Sequence, residues 1–108
     1  MRTHLEAPEL REELMKDLES KVLAEVEKVV DLETGLTFGQ MEMVQSVKEI
    51  QPGVVRIDFT LSSPICTDAT KMAIEVKSRA ENIEGVKKAL VYCHGHIIEE
   101  EINQTVNK

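Results

Sequence analysis

Leu10, Leu14, Leu18, Val22, Val26 and Val29/Val30 recur every three to four positions between Pro8 and Val30, which places them on one stripe of an amphipathic helix. Pro8 fits its first turn, where the missing N–H costs nothing, and Glu6, Glu9, Glu12 and Glu13 complement the positive helix end. Unbroken, this helix would run about 34 Å, longer than one sheet face of a small domain requires. Residues 1–17 are therefore expected to overhang as a helical extension and to pack against a second subunit. Asp31-Leu32-Glu33-Thr34-Gly35 ends the helix, with Gly35 free to take a positive φ. Met41 to Ile50 forms an imperfect strand and Gln51-Pro52-Gly53 a turn. Beyond it, Val55, Ile57, Phe59 and Leu61 alternate with Arg56, Asp58 and Thr60, the clearest half-buried strand of the chain.

The helical period returns from Thr67 to Asn82, with Ala69, Met72, Ala73, Val76, Ala80 and Ile83 on one face. Gly85 ends this crossover, and Val86 to Cys93 forms a third strand that runs parallel to the second. The tail alternates weakly through Ile97, Ile98 and Ile102 and ends polar, so it adds a short strand or frays. The predicted fold is a small α/β domain of the two-layer α+β kind, ordered helix-strand-strand-helix-strand. Its mixed sheet carries the helices on one face. Residues 1–108 make a single domain, with a core at 18–96 and a polar C-terminal tail at 97–108.

Charge and composition remove several functions. The 108 residues carry 20 acidic against 13 basic side chains, a net charge of −7, with no basic cluster, so nucleic acid is not an expected partner. Phe38, Phe59 and Tyr92 are the only aromatics, too few for a stacking platform. No stretch is apolar for long enough to cross a bilayer, and the acidic start does not read as a signal peptide, so no membrane partner and a cytoplasmic location are expected. There is no glycine-rich phosphate loop. Cys66 and Cys93 are too few for a disulfide framework.

Cys66 is the candidate chemical centre, since it stands between the alternating strand and the second helix. A thiol at a helix mouth faces unpaired N–H groups and the positive dipole end, which favours thiolate over thiol; a small apolar filler is the competing account. Cys93, His94 and His96 make a second donor group. In an extended segment only His94 and His96 share a side, which suits a weak or intersubunit metal site, or simply two exposed histidines. Met41 and Met43 are read as core packing.

In order and spacing, three stretches resemble the domain of unknown function 59 family, which includes the SufT-like and PaaD-like iron-sulfur cluster assembly proteins. They are Val29-Val30-Asp31-Leu32-Glu33-Thr34-Gly35, Asp58-Phe59-Thr60-Leu61-Ser62-Ser63-Pro64-Ile65-Cys66, and Ile83-Glu84-Gly85-Val86. The chain departs from the family pattern at Leu32 and Thr67, where prolines are usual. The resemblance implies an iron-sulfur cluster assembly domain-like core and a non-catalytic role in holding or delivering a cluster or metal. Its partners would be the assembly machinery or client apoproteins. It makes Cys66 the functional thiol, with Asp31 and Glu33 as acidic companions that ligate, orient or merely cap a turn. One cysteine cannot supply the four thiolates of an ordinary cluster. An iron-sulfur cluster or iron atom at Cys66 is thus expected to be transient and shared with a partner or a second subunit of a homo-oligomer. A thiol-dependent enzyme or redox protein using Cys66 as nucleophile, and an interaction domain with a structural cysteine, remain the alternatives.

Overall fold

Strict alternation gives the central strand one dry face: Val55, Ile57 and Phe59 are fully buried, while Arg56 and Asp58 point the other way. The computed structural model describes residues 18–108, so the expected extension and subunit contact of residues 1–17 lie outside the described residues. β1 (Val44–Gln51) pairs antiparallel with β2 (Val54–Thr60), and β3 (Lys88–His94) pairs with β2 in parallel, which makes a mixed sheet of order β1-β2-β3. Pro52 and Gly53 close the hairpin, Gly53 at φ 81°. The Gly53 carbonyl accepts the Lys87 N–H at 2.7 Å, tying this turn to the start of β3.

Two helices cover the dry face, α1 over residues 18–26 and α2 over Ala69–Glu81. Val22 and Val26 of α1 and Met72, Ala73, Val76 and Ala80 of α2 join the strand residues in one core. Side chains such as Phe59 and Ile57 each contribute about 1.5–3 kcal/mol by leaving water. Phe38 follows the turn after α1 and tilts against Phe59 with ring centroids 5.4 Å apart. Met43 is in this core and Met41 packs against it, as expected of both methionines. On the opposite, polar face a single carboxylate ties the three strands. Asp58 accepts from Ser46 of β1 at 3.2 Å and Arg56 of β2 at 3.1 Å, and pairs with His94 of β3 at 2.8 Å.

The C-terminal tail corrects the expectation of a strand or a frayed end. Residues Glu99–Val106 form a third helix, α3, which sends Ile102 and Val106 into the core. Their spacing of four is helical, and the strand-like look of Ile97 and Ile98 belongs to the turn before it. α3 lies along the open edge of β3 and satisfies its backbone. Asn107 Oδ1 accepts the Val91 N–H at 2.8 Å and its Nδ2 donates to the Val91 carbonyl at 2.7 Å. Asn103 does the same for Cys93, at 2.7 and 3.2 Å, and Glu99 accepts the Gly95 N–H at 2.9 Å. Four helical residues rise about 6 Å and two strand residues about 6.6 Å, so the side chains meet every second strand position. Further along the edge, Glu81 accepts from the Ala89 N–H and Lys77 donates to its carbonyl. An edge bonded in this way offers no template to another strand.

Candidate functional site

The turn after α1 folds tightly because Asp31 organises it. Its carboxylate is fully buried and accepts the Glu33 N–H at 2.8 Å through Oδ1, a local bond that aspartate makes readily at turns. The Asp31 N–H bonds to the Leu36 carbonyl and its carbonyl accepts from Gly35, which sits at φ 78°. The second carboxylate oxygen, Oδ2, accepts the Ser62 hydroxyl at 2.7 Å. This bond draws the turn against the loop between β2 and α2, the loop that carries Cys66.

Cys66 lies three residues before α2, whose first helical residue is Ala69 rather than Thr67. Its side chain is 3% exposed and belongs to the core cluster. The expected exposed thiolate is thus corrected to a buried thiol. Burial pushes the Cys66 thiol up, the Asp68 backbone amide pulls it down, and the charges of Glu33 and Asp31, with a hydrogen bond to Glu33, raise it further. The balance favours the protonated form: desolvation and two nearby carboxylates outweigh one amide. Glu33 is itself solvent-exposed, as are Ile65 and Thr67 on either side of the cysteine. The sulfur therefore lies one layer below the surface, with a carboxylate leading out from it.

The structure brings Asp31, Glu33 and Cys66 together and separates the two histidines by function. His94 Nε2 engages Asp58 Oδ1 on the polar sheet face. His96, turned inward after Gly95 at φ 82°, engages the Cys66 carbonyl through Nε2 at 2.9 Å. A carbonyl only accepts, so Nε2 is the protonated nitrogen. Nδ1 accepts the Ile98 N–H at 3.2 Å. Both ring nitrogens are thus engaged with backbone, and His96 latches the Cys66 loop instead of facing outward beside His94. Cys93 points into the core, where burial, with the charges of Glu99 and Cys66 behind it, pushes its thiol up to about 11.

Among the described residues no group of three or more His, Cys, Asp or Glu side chains is arranged to hold a metal ion. Cys66 and Glu33 place one sulfur and one carboxylate side by side, fewer donors than the four thiolates of an ordinary cluster. The sequence reading missed one participant, Ser62, and the part played by another, His96. Ser62 carries no signal beyond its place in the Ser-Ser-Pro stretch, and the latch role of His96 depends on a single turn at Gly95.

Residues 19–91 match the sequence profile of the family described as "Iron-sulfur cluster assembly protein". An uncharacterised protein of Methanocaldococcus jannaschii is 29% identical over 87 residues, spanning 81% of this chain and 92% of its own length. The crystal structure of a domain of unknown function, DUF59, from Bacillus anthracis superposes with a TM-score of 0.69 at 22% identity, over 85% of this chain and 90% of that one. The latter likeness establishes the fold.

Proposed function

Since the chain belongs to the iron-sulfur cluster assembly protein family, we propose that it works as a non-catalytic assembly or delivery factor whose Cys66 ligates the cluster, or its iron, during handover. The observation that carries this reading is the convergence of Asp31, Glu33 and Cys66 from two separate loops, with Asp31 bonded across to Ser62. The cluster is cargo in this account. Cys66 provides one ligand, Glu33 receives the thiol proton, and the remaining ligands belong to the donor, the acceptor or a second copy. Both cysteines are free thiols, which suits a reducing, cytoplasmic setting. No described helix is long and apolar enough to cross a membrane.

Anaerobic reconstitution with iron, sulfide and a small thiol, followed by absorption and Mössbauer spectroscopy, tests the reading. Wild-type protein is expected to give a bound iron species that the Cys66→Ala protein lacks. Equal uptake by both would refute direct ligation. A structural cysteine is the second reading, and the burial of Cys66 favours it. It predicts that Cys66→Val keeps full stability and full delivery activity, whereas the ligand reading predicts stability without delivery. A nucleophilic enzyme has less support, because the nearby imidazole of His96 contacts the Cys66 carbonyl and its raised thiol is a poor nucleophile.

A further inference from the structure

The turn that latches Cys66 also builds a cleft. Ile97 donates its N–H to the Pro64 carbonyl at 3.0 Å, so the turn before α3 and the Cys66 loop form one surface. On that surface Ile97 is 73% exposed and Ile65 65%, with Ile98 beside them. Exposed side chains of this size are ordinary when scattered, but grouped ones mark interaction surfaces. The cleft has a volume of about 500 Å³ and a mixed lining, Ile97 and Ile98 beside polar side chains that include His96, Glu100, Glu101 and Gln104. α3, which carries much of this lining, is fastened to β3 by Asn103 and Asn107 and to the following Gly95 by Glu99. Unlike Glu99, which is spent on the Gly95 amide, Glu100 and Glu101 are exposed and point their charge to solvent.

We infer that this cleft docks a short segment of a partner protein in which an apolar side chain is flanked by lysines or arginines. The apolar residue fills the space between Ile97 and Ile98, and the flanking cations meet Glu100 and Glu101. Charge complementarity selects this occupant. A second copy placed by a twofold axis would set one acidic rim against another, and the same rim repels an anionic membrane or a phosphate backbone. The inference deepens the proposed function, because the cleft adjoins the Cys66 loop and would hold a cluster donor or acceptor beside it.

The test uses the metal-free full chain and a fluorescein-labelled amphipathic peptide of leucine and lysine, read by anisotropy. Ile97→Ser and the charge reversal Glu100→Lys/Glu101→Lys are each expected to weaken binding by about tenfold or more. Ile50→Ser and Ile74→Ser, at exposed isoleucines outside the cleft, are expected to leave it within about twofold. Raising salt from about 50 to about 300 mM is expected to weaken wild-type binding but not abolish it. The inference is overturned if wild-type protein does not bind the peptide, if a lysine-serine peptide without leucine binds as tightly, or if the control isoleucines matter equally. It is also overturned if light scattering shows a dimer that Ile97→Ser dissolves, or if phosphatidylserine vesicles bind in the peptide's place. Cys66→Ala is expected to bind the peptide normally. Loss of iron uptake with intact peptide binding thus speaks to Cys66, and the converse to the cleft.

Discussion

Asn103→Ala removes both bonds that Cys93 makes at the sheet edge, from its N–H at 2.7 Å and to its carbonyl at 3.2 Å. Each hydrogen bond contributes about 1 kcal/mol net, and the N–H of a fully buried residue left without a partner costs about 1–3 kcal/mol. Alanine is the better helix former by about 0.6 kcal/mol, which offsets part of the loss. The balance is a destabilisation of about 1.5–2.5 kcal/mol. In urea, with a slope of about 1–1.5 kcal/mol per molar for a chain of this size, the midpoint should fall by about 1–2.5 M. Asn103→Asp separates bonding from bulk: it keeps an acceptor for the Cys93 N–H but aims a carboxylate oxygen at the Cys93 carbonyl, and so is expected to destabilise as well. Amide exchange at Val91 and Cys93 should accelerate in both variants more than at Ile57, which lies in the middle strand. A loss below about 0.5 kcal/mol for Asn103→Ala, the scale of an ordinary surface substitution, would refute the edge-sealing account.

Glu33→Gln removes a negative neighbour of the Cys66 sulfur, so the thiol should ionise more readily and react with iodoacetamide about threefold faster or more at fixed pH, followed by mass spectrometry. Burial alone would raise the Asp58 carboxyl, but bonds from Arg56, His94 and Ser46 hold it below its ordinary value of 3.8. Because the folded state binds that proton less readily than the unfolded chain, the resulting stability is present above pH 3.8 and is lost as pH falls through the depressed folded value. Asp58→Asn should therefore flatten the acid limb of the stability curve and lower stability at neutral pH by about 1–2 kcal/mol. Gly53→Ala puts a Cβ at φ 81° and within 2.8 Å of Lys87 Cγ, with an expected cost of about 1–2 kcal/mol in thermal or urea unfolding.

β2 was legible because alternation is a local property, and Val55, Ile57 and Phe59 each state the same buried face. The parallel partner followed from the helix between the two strands. α3 was not legible, since its apolar contacts, Ile102 and Val106, are sparse in a run of glutamates and asparagines. What fixes it is the match of Asn103 and Asn107 to the backbone of Val91 and Cys93 across a strand edge, a tertiary relation with no trace in local period. The motif order singled out Cys66, Asp31 and Glu33, which the fold sets near one another, but carried nothing of the state of the sulfur. The helix starts at Ala69, which leaves the sulfur under one amide rather than a full set, and the buried Asp31 turn brings Glu33 against it. The histidines were misjudged as a shared face because Gly95 breaks the alternation between them.

The proposed ligation reverses the sign of the electrostatics at Cys66. Burial disfavours a thiolate at Cys66, and the charges of Glu33 and Asp31 add to the effect. If iron binds there as proposed, its positive charge would be attracted by the same two carboxylates and would relieve their repulsion with the sulfur. The thiol would therefore surrender its proton only as metal binds, with Glu33 in hydrogen-bonding reach to take it and solvent beyond Glu33 to carry it away. A protonated, buried sulfur of this kind would resist alkylation and oxidation before any metal arrives, which an always-ionised thiolate would not. Coupling proton release to metal capture also makes uptake rise with pH. If Cys66 is the ligand, replacing Glu33 by glutamine should speed alkylation yet weaken iron uptake, two changes of opposite sign that no purely structural role for this carboxylate would produce.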